Sequence, residues 1–583
     1  MTPHNDGVSD SRSEVRQPAR AQSSGHAPST FGGTLAALAL AESFRPSLLP
    51  RTLVTQIIVS ALAVVTGYAV GAAFGAIARA IFVRLGVSPA GLRVLAIVGR
   101  SVAVLALIGA VALAPGRLSV QTLQRSALGL EATSLNPPLV LLGSIAGALL
   151  LIALGRALRA GARRLGRLFT ARWGWSPRAA VLAGGALEAV ACVGFIVVGL
   201  AVLGPLFAAR DRRITADERP PISALRSGGS GSLVSWETLG VQGRRFVGGG
   251  ASLDEISTLR GAASAPEPIR AYVGLNSAPT LTARAELAIR ELERTGAFDR
   301  AAIVVATPAG TGYVNPVAID PLELILGGDV ATVALQYSVL PSFLSVALDG
   351  PASVDAGRTL LNAVLARTSR LPRGDRPDVY VYGESLGAFG SQAAFEGRGI
   401  HGLERVSGAL WVGPTAASGF RRELLAGATT GPARAPIVGG GAVVRFANDA
   451  AGLRELKSRW GPVRAAYLQH ATDPVVWFAP SLAWSRPEWL DEPPGPGVPP
   501  EMAWRPLLTF EQVLMDLPLA SSAASGYGHD YDADVPLAWV EIVRPDDWSE
   551  RDTREMLQLL GTEFAVVPVR MMDLMHLARA GTR

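Results

Sequence analysis

The chain has one cysteine, Cys192, and one lysine, Lys457, in 583 residues. A single thiol excludes a disulfide framework and any zinc or iron–sulfur site built on clustered cysteines. Cys192 itself sits in an apolar run and reads as a small core residue. Histidine is scarce, at six residues, and the chain carries no H-E-x-x-H and no Walker sequence, so no metal and no cofactor is expected. Charged residues make up 17% of the chain against 49% hydrophobic ones, and the mean hydropathy is +0.30. That balance excludes a disordered chain and an ordinary soluble protein. It points to several membrane spans beside a globular part.

Acidic residues are short in one half only. Residues 1–207 hold 18 arginines against 6 acids, whereas the remainder holds 36 basic and 42 acidic residues. The basic excess lies between hydrophobic segments, where the positive-inside rule accounts for it and no nucleic acid partner is needed. Residues 1–30 are polar and read as a disordered tail, without the early apolar stretch of a secretory signal. Four later stretches, 53–81, 92–114, 137–158 and 179–207, are apolar over the roughly 20 residues that a crossing helix needs. Their glycines and alanines, as in GYAVGAAFGA from Gly67, suit close packing between helices. A fifth stretch, 31–50, is marginal: it carries Glu42 and Arg45 and ends in PSLLPR. An N-terminal helical transmembrane bundle of four or five helices is therefore expected over 31–207. Arg156, Arg159, Arg163, Arg164, Arg167, Arg172 and Arg178 separate the third and fourth stretches with no acid among them, and such a loop belongs in the cytoplasm. The chain after Phe207 is then delivered to the outer face. Glu188, inside the fourth stretch, reads as one protonated or hydrogen-bonded carboxyl facing its neighbours.

Residues 208–265 are rich in glycine, serine and charge and read as a connector with some structure. From 266 to 583 the rhythm is that of a catalytic domain in which short apolar strands alternate with helices. Strands are expected at 269–275, 301–307, 330–337, 378–382, 409–412 and 465–470, and helices at 283–295, 321–326, 354–369 and 386–396. Continuous apolar strands alternating with helices mean a mostly parallel sheet in a three-layer α/β domain.

One motif carries chemistry. DVYVYGESLG, from Asp378, is a strand followed by Gly383-Glu384-Ser385-Leu386-Gly387 and then a helix of small residues, the setting that G-x-S-x-G requires of a nucleophile elbow. Ser385 is the expected nucleophile. Of the histidines, His529 lies in a Gly-flanked loop, SGYGHDYD, and is the leading base; His576, in a terminal helix, is the alternative. The orienting acid should follow a strand and precede the base. Asp473, in YLQHATDPVVW, fits best, ahead of Asp449, Asp491 and Asp516, and His470 reads as a support. The oxyanion hole is expected from the N–H of Leu386 and from the loop holding Gly310, Thr311 and Gly312. No strand is evident between Asp473 and His529. A Pro- and Trp-rich stretch, 477–504, stands there and reads as a lid, an apolar wall for an acyl chain or a long surface loop.

With these residues in view, the chain resembles the membrane-bound bacterial α/β-hydrolase family, which joins an N-terminal multi-span domain to a C-terminal catalytic domain. The matching segments are SFRPSLLPR, YVGLNSAPTLTARAELAIRELERTGAFDR, ATPAGTGYVNP, LQYSVLPS, YVYGESLGAFGSQAAF, YLQHATDPVVWF and GYGHDY. The resemblance implies a serine-hydrolase fold with Ser385 as nucleophile, and it supports Asp473 and His529; it names no substrate. The leading expectation is an esterase or lipase anchored in the bilayer, acting on a lipid or envelope ester at the outer face. An acyltransferase using the same acyl-enzyme, and a non-enzymatic membrane protein with a hydrolase-fold scaffold, are the alternatives.

Overall fold

The structure, a computed structural model, describes residues 29–561 apart from 132, 216–217, 341–344 and 346–349. His4, His26 and His576 lie outside the described residues, as do nearly all of the expected tail and the side chains of Glu188 and Cys192.

The N-terminal region consists of α1 (Thr30–Ser43), α2 (Leu53–Arg84), α3 (Pro89–Ala127), α4 (Pro137–Trp173) and α5 (Pro177–Arg212). Each start is set locally. Ser29, Thr52, Ser88, Asn136 and Ser176 each accept a hydrogen bond from an N–H of the first turn, and α3, α4 and α5 open on proline, which has no N–H to leave unpaired. Helices α2, α3 and α4 are long and apolar enough to cross a membrane, and many of their large apolar side chains are exposed. The fourth expected span falls on α5, many of whose side chains are not described. The marginal stretch at 31–50 gives no span of its own. It is a 14-residue helix followed by a non-helical strap at 44–52, and about 21 Å of helix falls short of the ~30 Å hydrocarbon core. Glycines bring α1 against α2: a Cβ at Gly67 would lie 2.6 Å from the Leu35 carbonyl, and one at Gly71 would overlap the Phe31 carbonyl.

The C-terminal domain holds a seven-stranded sheet. Its order is β1 (Ile269–Val273), β3 (Val330–Leu335), β2 (Ala302–Thr307), β4 (Asp378–Glu384), β5 (Gly408–Val412), β9 (Arg464–Leu468) and β8 (Val444–Ala447), every pair parallel. A small antiparallel pair, β6 (Ala428–Thr430) and β7 (Ile437–Val438), stands apart. All residues of β1, β2 and β3 are buried, which is why these strands read as unbroken apolar runs. The helix expected at 321–326 begins earlier, at Pro316, because Asn315 caps it by accepting the Val317 N–H. Residues 208–265 pack onto the sheet: Trp236, Leu239, Phe246, Ile256 and Leu259 enter the same core as the strands. Arg270 of β1 is buried there, and its guanidinium meets Glu323 at 2.6 Å, Asp320 at 2.5 Å and the Phe246 carbonyl at 2.8 Å. A buried cation persists only with such partners.

Chain direction fixes where the two regions meet. The start of α2, the end of α3, the start of α4 and the end of α5 all lie toward the catalytic domain. Leu128, just past α3, packs with Ala523, and Asp211 in the last turn of α5 accepts from Gln336 at 3.3 Å. The arginines expected in a loop between the third and fourth spans are helical instead: Arg156, Arg159, Arg163, Arg164, Arg167 and Arg172 lie on the far half of α4, about 28–53 Å from its start, and Arg178 opens α5, because the Ala, Leu and Arg of this stretch are strong helix formers. Gly71→Val is expected to part α1 from α2 and destabilise the protein by about 1–3 kcal/mol. An unfolding midpoint equal to that of the unaltered protein would refute the close approach.

Candidate active site

Strand β4 ends at Glu384, and a helix begins at Leu386, so Ser385 alone makes the turn, at φ 56° and ψ −119°. Positive φ is strained for a residue with a side chain, and the surroundings must enforce it. Two glycines do so by permitting close approach. A Cβ at Gly383 would stand 2.5 Å from the Gly387 carbonyl, and one at Gly387 would overlap the Thr307 carbonyl at the end of β2. The Ser385 N–H donates to the Val412 carbonyl at 2.9 Å, pinning the turn to β5.

The same approach sets the helix start beside the loop that leaves β2. Leu386 contributes the first N–H of the helix, which has no acceptor within it. In the loop, Gly312 donates to the Ala309 carbonyl at 2.8 Å, and the Gly312 carbonyl accepts from the Tyr272 hydroxyl at 2.7 Å. The Gly312 N–H is therefore engaged within the turn. The N–H groups of Gly310 and Thr311 have no bond among the described residues, which leaves them as the free donors of the expected set.

Asp473 follows β9 and is fully buried. Its Oδ1 accepts the Val475 N–H at 2.8 Å; its Oδ2 accepts His529 Nδ1–H at 2.7 Å and the Tyr531 hydroxyl at 2.8 Å. His470 acts as the support that the sequence suggested. Its Nδ1–H donates to the Gly528 carbonyl at 3.0 Å, its N–H donates to the Tyr531 hydroxyl at 2.9 Å, and its ring stacks on Tyr531 at 3.8 Å. Thr472 adds a bond from the Gly528 N–H at 2.8 Å. The other acids are engaged elsewhere: Asp449 caps Gly452, Asp491 pairs with Arg486, and Asp516 pairs with Arg51. His401 is exposed beside Glu404.

With Nδ1 committed to Asp473, the remaining nitrogen of His529, Nε2, is buried and has no partner among the described residues. The ring rests on Gly413, where a Cβ would lie 2.6 Å from Nδ1 and overlap Cε1. Register pairs Glu384 with Val412, whose carbonyl accepts the Ser385 N–H, so the ring lies over the residue that follows the serine's own backbone partner. Burial works to lower the His529 pKa, but Asp473, with Glu384 and Asp530, more than reverses this and holds it above the ordinary imidazole value.

Desolvation likewise raises the Glu384 pKa, opposed by His529, by the Tyr382 hydroxyl at 2.7 Å and by Asn315 Nδ2 at 3.2 Å. Asn315 Nδ2 also donates to Asp532 at 3.0 Å, so one amide ties the loop after β2, the elbow and the histidine loop together. Sequence reading missed this role of Asn315, and those of Glu384, Tyr531 and Asp532. The first three lie inside the motif segments, but adjacency in a motif does not reveal a partner from another loop. The Pro- and Trp-rich stretch packs through Trp477, Leu482, Val498 and Met502 against Leu48 of the strap, while Trp484 is exposed.

Gly413→Ala places a methyl group on the His529 ring and strains a backbone at φ 52°. It is expected to destabilise the fold by about 1–3 kcal/mol and to slow covalent labelling of Ser385 on the order of a hundredfold. Labelling at the original rate would refute the seating of the ring.

A model of an alpha/beta-hydrolase family matches residues 269–556, and a model of the N-terminus of an alpha/beta-hydrolase family matches residues 44–251. No match was found among the curated proteins or among the solved structures. The parallel sheet and the two adjoining matches, which together cover most of the sequence, lead to one conclusion: the chain belongs to this alpha/beta-hydrolase family, with a helical N-terminal region joined to a C-terminal hydrolase domain.

Proposed function

We propose that the protein is a membrane-anchored serine hydrolase, acting on carboxylic esters, with Ser385 as nucleophile, His529 as base and Asp473 as the acid that orients it. The observation that carries this reading is the buried His529 ring, bonded to Asp473 at 2.7 Å with Nε2 unpartnered among the described residues, over Gly413 at the end of the strand to which the positive-φ Ser385 is hydrogen-bonded. As Oγ of Ser385 attacks the ester carbonyl, Nε2 takes the hydroxyl proton. Asp473 fixes the Nδ1–H tautomer and stabilises the imidazolium. The oxyanion of the tetrahedral intermediate is met by the N–H of Leu386 and by those of Gly310 and Thr311. Collapse expels the alcohol, which leaves with the imidazolium proton. Water then enters by the same route, releasing the acid and the free serine.

The catalytic domain is assigned to the outer face of the membrane. Support comes from the arginines on the far half of α4 and at the start of α5, which stand at the end of the helices remote from that domain. A site mounted on a bilayer anchor suits a lipid or envelope ester as substrate.

A membrane-impermeant fluorophosphonate should label the protein on intact cells, and Ser385→Ala should abolish the label. Equal labelling of that variant would overturn the nucleophile, and labelling only after lysis would overturn the sidedness. The base must be neutral to act, so labelling should rise with pH, with a midpoint above the ordinary imidazole value of about 6.5. Asp473→Asn removes the carboxylate that raises this midpoint. It should move the midpoint down and slow labelling by ~10³–10⁴-fold.

A further inference from the structure

The SFRPSLLPR segment, which holds the strap at 44–52, has no part in the chemistry above, yet Phe44, Leu48, Leu49 and Arg51 are each at most 2% exposed. From below, glutamines of the membrane helices hold it. Gln121 Nε2 donates to the Phe44 carbonyl at 3.2 Å, and Gln124 Nε2 donates to the Ser47 and Leu48 carbonyls at 3.0 and 3.1 Å. Gln56 Oε1 accepts from the Arg51 guanidinium at 3.2 Å. From above, the strap meets the two loops that carry Asp473 and His529. Leu48 packs with Ala471, Val476 and Trp477, on both sides of Asp473 in sequence, and Trp477 Nε1–H donates to the His470 carbonyl at 2.9 Å. Leu49 packs with Ala523 and Leu128, and its Cδ2 lies 3.5 Å from where a Cβ of Gly528 would stand.

An ion pair completes the contact. Arg51 Nε stands 3.5 Å from Asp516 Oδ1, with both side chains fully buried, and the Leu49 N–H reaches Asp516 Oδ2 at 3.5 Å. Asp516 ends the helix Leu508–Asp516 and leads into the turn Leu517–Ser522, whose Ala520 carbonyl accepts the His529 N–H at 2.7 Å. An anchor would need only the covalent link that follows α5. A buried ion pair is a poor source of stability compared with apolar packing, but it fixes one arrangement strictly, because neither charge tolerates losing the other. The oxyanion loop is tethered in a similar way: Gln336 Nε2 donates both to Asp211 at the end of α5 and to the Thr311 carbonyl, each at 3.3 Å.

We propose that the strap at 44–52 is a positioning element of the catalytic pair, with Arg51 acting on His529 through Asp516 and the Ala520 carbonyl, and Leu48 and Leu49 seating the two loops. The membrane region is then a working part of the site as well as its anchor. This rests on the reading of Asp473 and His529 as the acid and base.

The test uses the full chain in lipid nanodiscs, with two readouts: the titration midpoint of the His529 ring by NMR of labelled histidine, and the rate of fluorophosphonate labelling. Leu49→Ala and Arg51→Gln should each lower the ring midpoint by about half a unit or more, as the bond to Asp473 loosens, and slow labelling about tenfold or more. Arg51→Lys should recover most of both. Leu38→Ala, at an exposed position of α1, should change neither. If Arg51→Gln fails to fold, Leu49→Ala, which only removes volume, carries the test. A midpoint unchanged in the folded strap variants overturns the proposal. A midpoint that shifts in a protein whose Ser385 never labels would sustain the strap and remove the hydrolase reading.

Discussion

The imidazole of His529 has to satisfy two neighbours at once, and the geometry of the catalytic domain follows from that demand. Its Nδ1 is held by a carboxylate 56 positions away in sequence, while its Nε2 is buried with no partner among the described residues. A flexible loop would not meet both conditions. The histidine loop is therefore fastened by Thr472, His470 and Tyr531, all from or bonded to the acid's own loop, and the ring rests on Gly413, just past the end of β5, which has no side chain to displace it. The cost of burying the base is offset by the carboxylate beside it, which is why its pKa lies above the ordinary value despite burial.

Parallel strands make the convergence possible. In the sheet every strand runs the same way, so the loops after β2, β4, β5 and β9 leave from one edge. Ser385, the loop of Gly310 and Thr311, and Asp473 gather there, each at a strand's end and each stiffened by the strand beneath it. Glycine decides how near these loops come: Gly383 and Gly387 let the elbow close, and Gly413 admits the ring. No strand lies between Asp473 and His529. The edge strand β8 precedes β9 in the chain, which frees the intervening residues for another use.

That use is contact with the membrane region. The segment between acid and base packs on the strap and on α2, where the Thr66 hydroxyl donates to Glu511 at 2.5 Å, and Glu42 of α1 pairs with Arg505 at 2.8 Å. The N-terminal helices and the loops that carry Asp473 and His529 are thus built into each other.

The sequence by itself determined the elements and the chemistry of single positions. Strand periodicity, the flanking helix and G-E-S-L-G identify Ser385 without coordinates, because a strained turn between a buried strand and a helix permits few residues and leaves a local signature. The apolar stretches that became α2, α3 and α4 are legible for the same reason: a lipid environment demands a long apolar run from the segment alone. The tertiary structure decided what touches what. It turned 31–50 into a short helix and a buried strap, engaged the Gly312 N–H inside a turn, and gave Asn315 three loops to hold. It also set the Pro- and Trp-rich stretch against the strap. Partners such as Arg51 and Asp516 are separated by hundreds of residues, and no local pattern records a contact that exists only once both segments are folded.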